Sequence, residues 1–474
     1  MNSKYDVVIG IEIHLELNTK TKMFSPAKNS FLDDPNRNVH PIDIGYPGTL
    51  PQLNKAAVIS AIKLAKALNM KIDNQLHFDR KNYFYPDLPK GFQITQFFRP
   101  IGKDGIMPIF VDGVWKEIAV ERIHLEEDTA KQLHQEKWTL LDYNRAGIPL
   151  IEIVTKPVIS SSQEAIAYVN NIRKAALYLG ISDAKMEEGS LRVDVNISLK
   201  PENSSTLGNK VEIKNMNSIS NIKKAIDFEI ALQSSMLDNN EIVKQQTKRF
   251  DEITLTNVLM REKTGEVDYK YFPEPNIPVI QLEQSLLENV LIPTMPWERE
   301  KEFLAIKLNP IHINSLINNI DYLDYFEAIN FHNKTKAANL FFSDIISIVN
   351  NQAVQLKDLN IKPFHLKEIL ELIESQKISS KQAKQIIQIL QKENKSIQQI
   401  IIENKMNQSI SEIDLIAILE KIILENENLI NSYPQKPDRV TNFLLGNLMK
   451  ETQGNANPQM ANKVVQEILQ KKFQ

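Results

Sequence analysis

Between Tyr5 and Leu17 apolar and polar side chains alternate. Val7, Ile9, Ile11, Ile13, Leu15 and Leu17 share one face, while Asp6, Glu12, His14 and Glu16, with Val8 and Gly10, share the other. Period-two alternation predicts a half-buried strand, and its polar face carries an acid, an imidazole and a second acid in succession. The same device recurs: Glu152 stands between Ile151 and Ile153, Asp194 between Val193 and Val195, and Glu212 between Val211 and Ile213. From Leu191 to Leu199 the inward set Leu191, Val193, Val195, Ile197 and Leu199 leaves Arg192, Asp194, Asn196 and Ser198 together on the opposite side. Strands of this kind are expected to bring carboxylates from distant segments onto one sheet face.

Helical spacing is interleaved with these strands. One helix is predicted from about Lys55 to Leu68, capped by Asn54; a second begins near Ser162 and stops at Gly180; a third follows Ser220. Most of the 22 prolines precede residue 300, after which the only glycines are Gly446 and Gly454. Pro273, Pro275, Pro278 and Pro293 break regular structure and predict a boundary near 295. Beyond it the chain keeps helical spacing, as in the run after Pro363. A further small unit is expected from near Ser409, where Ser409 with Glu412 and Ser411 with Asp414 have capping-box spacing, to a last helix opened by Asn457-Pro458. The fold class is therefore α+β, with domains at 1–295, 296–405 and 406–474.

Composition narrows the chemistry. The chain has 474 residues, 42% of them hydrophobic, a formal net charge of -3 and no cysteine. Disulfides, thiolate metal sites and a cysteine nucleophile are excluded. The charge balance argues against nucleic-acid binding by overall basicity, although local clusters such as Arg80-Lys81, Arg173-Lys174 and Lys471-Lys472 survive the averaging. Each cluster also fits a solvated face. Met1-Asn2-Ser3-Lys4 leads straight into the first strand without an apolar signal region, so a cytoplasmic protein that does not enter the membrane is expected.

A sheet face rich in acids calls for a cation, and oxygen ligands with one imidazole suit Mg2+ or Mn2+ better than zinc. Arg80 to Lys90, with three basic side chains around Tyr83, Phe84 and Tyr85, offers phosphate contacts and ring faces on one loop. No GxxxxGK[ST] loop is present, and Gly102 to Gly105 makes no dinucleotide fingerprint, so any ATP would have to be held by metal and strand side chains. On pattern alone three classes stay open: a metal-dependent phosphoryl-transfer enzyme, a metal-assisted hydrolase, and a binding protein with incidental acids. Any one of these carboxylates by itself fits a surface acid or salt-bridge partner.

Gly10-Ile11-Glu12-Ile13-His14, Tyr46 to Pro51, Arg80 to Lys90, His124-Leu125-Glu126-Glu127-Asp128, Asp142 to Val154, Lys185 to Asn196, Tyr271 to Pro275 and the ending Gly454 to Gln459 stand in order along the chain. This series resembles the B subunits of aspartyl/glutamyl-tRNA(Asn/Gln) amidotransferases. The match is looser over Arg261 to Glu266, and Lys270 stands where an arginine is common. The resemblance implies a sheet-based, kinase-like cradle, an all-α domain and a small all-α tail that grips tRNA. It implies ATP-dependent phosphorylation of the side-chain carboxylate of Glu-tRNA(Gln) or Asp-tRNA(Asn), then amidation by ammonia: a carbon-nitrogen ligase with glutamine as amido donor. It also implies Mg2+, with Mn2+ as an alternative, and a heterotrimer formed with an amidase subunit that releases ammonia and a small third subunit that clasps the pair. The expected metal set is Glu12, His14, Glu127, Glu152, Asp194 and Glu212. Lys81, Tyr83, Arg192 and Lys214 are the expected nucleotide contacts, and Glu12, Glu127, Lys81 and Arg192 the expected catalytic residues. A non-catalytic tRNA-binding scaffold whose acids hold a structural cation is the rival reading.

Overall fold

The computed structural model describes residues 4–202, 204, 206–262, 268–404, 406, 412–452, 456 and 458–473. The chain divides into two compact units, Met1–Arg299 and Glu300–Gln474. The first is mixed α and β, built on a large sheet, and the second is helical.

Nine strands form the large sheet, in the order Thr256–Glu262, Gln246–Asp251, Val211–Lys214, Leu191–Pro201, Tyr5–Glu16, Pro149–Thr155, Val114–Glu127, Gly102–Val111 and Lys71–Ile72. Neighbours are antiparallel except Val211–Lys214 and Gln246–Asp251, which are parallel and joined through the helix Ile219–Asp238. Tyr5–Glu16 lies near the middle, so the strand with the strongest alternation has a partner on each side. Its apolar row Ile9, Ile11, Ile13 and Leu15 is fully enclosed, together with Ile151, Ile153, Val195, Ile197, Val211 and Ile213. Helices Lys55–Ala67, Ser162–Tyr178 and Ile219–Asp238 complete that core. Complete burial of one such side chain contributes about 1.5–3 kcal/mol. A one-residue slip would turn the whole row to solvent and the acids into the core, so the register is strongly specified.

The helix boundaries have local causes. Asn54 caps the first helix by accepting from the Ala56 and Ala57 amides, and Ser161 caps the second through the Glu164 amide. After the second helix Gly180 takes a positive φ of 63°, which a side chain would resist. The third helix begins at Ile219, two residues before the start expected after Ser220, because the Ser218 hydroxyl accepts from the Asn221 amide and sets the start. Strands Phe272–Pro273, Asp79–Asn82 and Phe92–Thr95 form a separate small sheet that carries Lys81.

In the helical unit, Pro363 opens the helix Pro363–Glu374. Ser379 and Gln382 cap Ser380–Lys392 reciprocally. The last helices, Glu412–Glu425, Pro437–Glu451 and Pro458–Phe473, enclose a core of their own that includes Leu415, Leu419, Leu444, Val465 and Leu469. The proposed caps Ser409, Ser411 and Asn457, the Gly454-Asn455 part of the ending, and Lys263 to Glu266 lie outside the described residues. Among the described residues no helix is long and apolar enough to cross a membrane.

Candidate functional site

The face opposite the helices is where the acids meet. Glu12 stands directly across from Asp194, His14 lies between Glu152 and Arg192, and Glu212 is paired with Asn196. One group brings ligand atoms of Glu12, Asp194 and Glu212 within 4.8 Å of one another, and a second does so for His14, Glu126 and Glu152.

The first group is held from several sides. Asn196 donates to Glu12 Oε1 at 2.9 Å, the Thr247 hydroxyl donates to Glu212 Oε2 at 3.0 Å, and Lys214 Nζ lies 3.0 Å from Glu212 Oε1 while also bonding Asp194. Burial, with Glu152 and Asp194 nearby, pushes the Glu12 carboxyl above its ordinary value despite Lys214. Three carboxylates, Glu12, Asp194 and Glu212, share the single ammonium of Lys214, a surplus that a hard divalent cation would relieve. Burial pulls Lys214 down, but Asp194 and Glu212 outweigh it and keep the ammonium charged.

In the second group His14 Nε2 lies 3.4 Å from Glu126 Oε1 and 3.9 Å from Glu152 Oε2. A second imidazole stands behind them: His124 Nε2 is 2.7 Å from Glu152 Oε2 and 3.6 Å from Glu126 Oε2. Burial lowers His124, yet Glu152 and Glu126 overcome it and leave the ring raised to about 9. For Glu152, burial works upward, but His124, His14 and Lys81 hold the carboxyl below the usual carboxylate range.

The structure places Glu127 away from this set. Along Val114–Glu127 the side chains alternate, so Glu127 shares the inward side with Ile123 and Leu125, whereas Glu126 shares the polar side with His124. Glu127 is buried, paired with Lys90, and accepts from the Ile94 amide at 3.0 Å. Glu126 is thus the acid of the His124 to Asp128 segment that joins His14 and Glu152. The period-two rule, counted on from Ile123 and Leu125, was the signal that separates the two glutamates. His124 carries the same signal, since it falls on the face of Glu152, its cross-strand neighbour.

A cavity of about 380 Å3 opens onto the face and is lined by His14, Lys81, Glu126, Arg192, Asp194 and Lys214, among others. Its size falls in the range of small-molecule sites. Among the described residues the Lys81 ammonium has no hydrogen-bonding or ion-paired partner; it sits 4.9 Å from the centre of the Tyr269 ring and 5.9 Å from that of Tyr83. Burial lowers it, but Glu126, Tyr271 and Glu152 win and its pKa is raised. Arg192 donates to Asp128 at 2.9 Å through Nη2, and its buried Nε has no partner among the described residues. Beside this pair Glu16 is raised to about 7 by burial and by Asp128. Tyr83 does not line the cavity; its ring meets Tyr269 edge-on, with centroids 6.0 Å apart.

Of the expected metal ligands, Glu12, His14, Glu152, Asp194 and Glu212 come together, in two groups rather than one. With Glu126 added, the donors are carboxylates and a single imidazole with no thiolate, a set that fits Mg2+ or Mn2+.

The chain matches known sequences over nearly its whole length. Residues 7–288 match the GatB/GatE catalytic domain, and residues 324–469 match the GatB domain. The B subunit of aspartyl/glutamyl-tRNA(Asn/Gln) amidotransferase from Mycoplasmopsis agalactiae is 52% identical, across 99% of this chain and 100% of its own. The protein of the same name from Mycoplasmopsis pulmonis is 51% identical over the same shares.

Proposed function

The chain belongs to the family of B subunits of aspartyl/glutamyl-tRNA(Asn/Gln) amidotransferases, and from this we propose that it activates and amidates the side-chain carboxylate of Glu-tRNA(Gln) or Asp-tRNA(Asn). What carries the reading is the cavity in which acid groups and three cations, Lys81, Arg192 and Lys214, face one space.

A carboxylate resists attack by ammonia until its oxygen is made a leaving group. The γ-phosphoryl group of ATP passes to a carboxylate oxygen and ADP departs; the ammonia lone pair then forms the carbon-nitrogen bond as phosphate leaves and a proton is lost. Lys81 is free of other polar partners among the described residues, so it can turn its charge to phosphate oxygens. Arg192, tied to Asp128 by one nitrogen, lines the same cavity and brings a second positive charge to it. Lys214 restrains Asp194 and Glu212 by pairing with both. His14, Glu126 and Glu152 would hold one Mg2+ or Mn2+, and Glu12, Asp194 and Glu212 a second. Such a cation supplies neutralisation of the charge that develops in phosphoryl transfer. Glu127, paired with Lys90 away from the cavity, takes no part in this ligand set.

Ammonia has to come from elsewhere, since the chain has no cysteine and no Gly-Gly-Ser-Ser-Gly amidase signature. An amidase subunit supplies it, and a small third subunit makes up a cytoplasmic heterotrimer. We divide the chain into a kinase-like cradle at 1–295, a helical domain at 296–405 and a tRNA-binding tail at 406–474. The separate core around Leu415 to Leu469 supports the last division. The test is ATP hydrolysis by the assembled complex with Glu-tRNA(Gln) and with Asp-tRNA(Asn). Phosphate release that depends on the misacylated tRNA is expected, and ATP hydrolysis indifferent to it, or absent, would overturn the assignment.

A further inference from the structure

We propose that His124 is a positioning residue for the cation site made by His14, Glu126 and Glu152; the inference rests on the cation reading of that group. A carboxylate can only accept, so His124 Nε2, 2.7 Å from Glu152 Oε2, carries the proton and donates it into that contact. The same nitrogen lies 3.6 Å from Glu126 Oε2, while Glu126 Oε1 faces His14 at 3.4 Å. The Glu126 carboxylate therefore spans two imidazoles, one oxygen toward each. One ring nitrogen thus draws on both acids from behind and leaves Glu126 Oε1 turned to His14.

Three further observations set His124 apart from a core histidine. It is 6% exposed and stands across the ladder from Glu152, so the backbone register delivers it to that acid. Its Nδ1 is buried without a hydrogen-bond partner, so among the described residues the ring's polar contacts run through Nε2 to the two acids alone. It is also absent from the cavity lining, which includes His14 and Glu126, so it acts through the ligands and not on the substrate. An outer partner that fixes the orientation of carboxylate ligands raises metal affinity by making their arrangement ready before the ion arrives.

The experiment measures Mn2+ binding by electron paramagnetic resonance on the metal-stripped, assembled amidotransferase, with the melting temperature recorded in parallel without metal. His124→Gln places an amide donor near the Nε2 position, whereas His124→Asn places it near Nδ1, and the two fill similar space. Affinity in His124→Asn is expected to fall about 10–100-fold, with His124→Gln recovering most of it. The metal concentration for half-maximal amide formation should rise in step, while kcat at saturating metal stays within several-fold. Equal affinities in the Gln and Asn variants, or losses that simply follow the melting temperature, would overturn the positioning role. Failure of the unsubstituted complex to bind Mn2+ would instead overturn the cation reading, and this inference with it.

Discussion

Among the described residues the sheet unit encloses Lys22, Asp43, His124, Glu126, Glu127, Glu229 and Lys248, each less than a tenth exposed, whereas the helical unit encloses only Gln382 and Thr452 among its polar side chains. In the sheet unit, charge is buried for two purposes. Lys248 lies 2.9 and 3.0 Å from the two oxygens of Glu229, which also accepts from Gln233 and Asn257, so both charges of the pair are answered. On the polar sheet face the acids outnumber their local partners, and Lys81 and Arg192 Nε are left unpaired among the described residues. Neutralised charge marks structure here, and surplus charge marks the face proposed for the chemistry. The helical unit shows neither; its order comes from apolar packing and caps.

The sharpest break of this contrast is substitution on the polar face. Glu12→Gln and Asp194→Asn each remove charge without volume, and amide formation should fall roughly 10^3-fold or more, the scale of several kcal/mol of lost charge stabilisation. Glutamine hydrolysis by the amidase subunit should continue, and the melting temperature should hold. Near-normal transamidation with bound metal unchanged would sink the metal-face assignment.

Lys248→Ala leaves Glu229 buried and uncompensated, for which a loss of about 3–5 kcal/mol is expected in denaturant unfolding. Leu444→Ala, in the tail core, should cost about 2–5 kcal/mol by cavity formation. The two are told apart by repair: Lys248→Met with Glu229→Gln should recover much of the first loss. If the paired change were as damaging as Lys248→Ala alone, the network would matter for packing and not for charge.

The units should also answer pH with opposite sign. His124 and Glu16 have folded pKa values raised to about 9 and about 7. Their contributions are present below the unfolded values, about 6.5 for His and about 4.3 for Glu. They are lost as pH climbs through those folded values, so the metal-free sheet unit weakens between roughly pH 5 and 9, by a few kcal/mol at most. In the helical unit burial lowers His312 and His365, so their contribution is present above about 6.5 and lost as pH falls. Hydrogen exchange across pH 5–9, read separately on the two units, checks this; a common direction would break the contrast.

The smallest expected effect is on affinity. Truncation near Glu403 removes the tail core and Lys471-Lys472, and should raise KM for charged tRNA about ten-fold while kcat at saturating tRNA stays within several-fold. If only the melting temperature fell, the tail would be a stabiliser of the helical unit. If kcat fell by orders of magnitude with stability unchanged, chemistry would not be confined to the sheet unit.

Local periodicity was enough to foresee the polar face of Tyr5–Glu16, the matching faces around Glu152, Asp194 and Glu212, the three helices that cover the other side, and a sheet region followed by a helical one. Each of these depends on side chains a few positions apart, and the period of two or 3.6 residues is a property of the backbone itself. Tertiary structure decided what the spacing left open. Glu126 and not Glu127 joins His14, because the direction of each side chain was settled by the strand's phase against the core. His124 meets Glu152 because cross-strand register set them opposite each other. The ligands split into two groups because strand order in the large sheet sets Glu12 beside Asp194 and Glu212 on one side and His14 beside Glu126 and Glu152 on the other, and Lys81 enters the cavity, with Tyr83 outside it, because a separate small sheet carries Lys81 there. Which atoms come within about 3 Å is fixed by contacts between different strands, such as Asn196 with Glu12 and Arg192 with Asp128, and no local pattern encodes them.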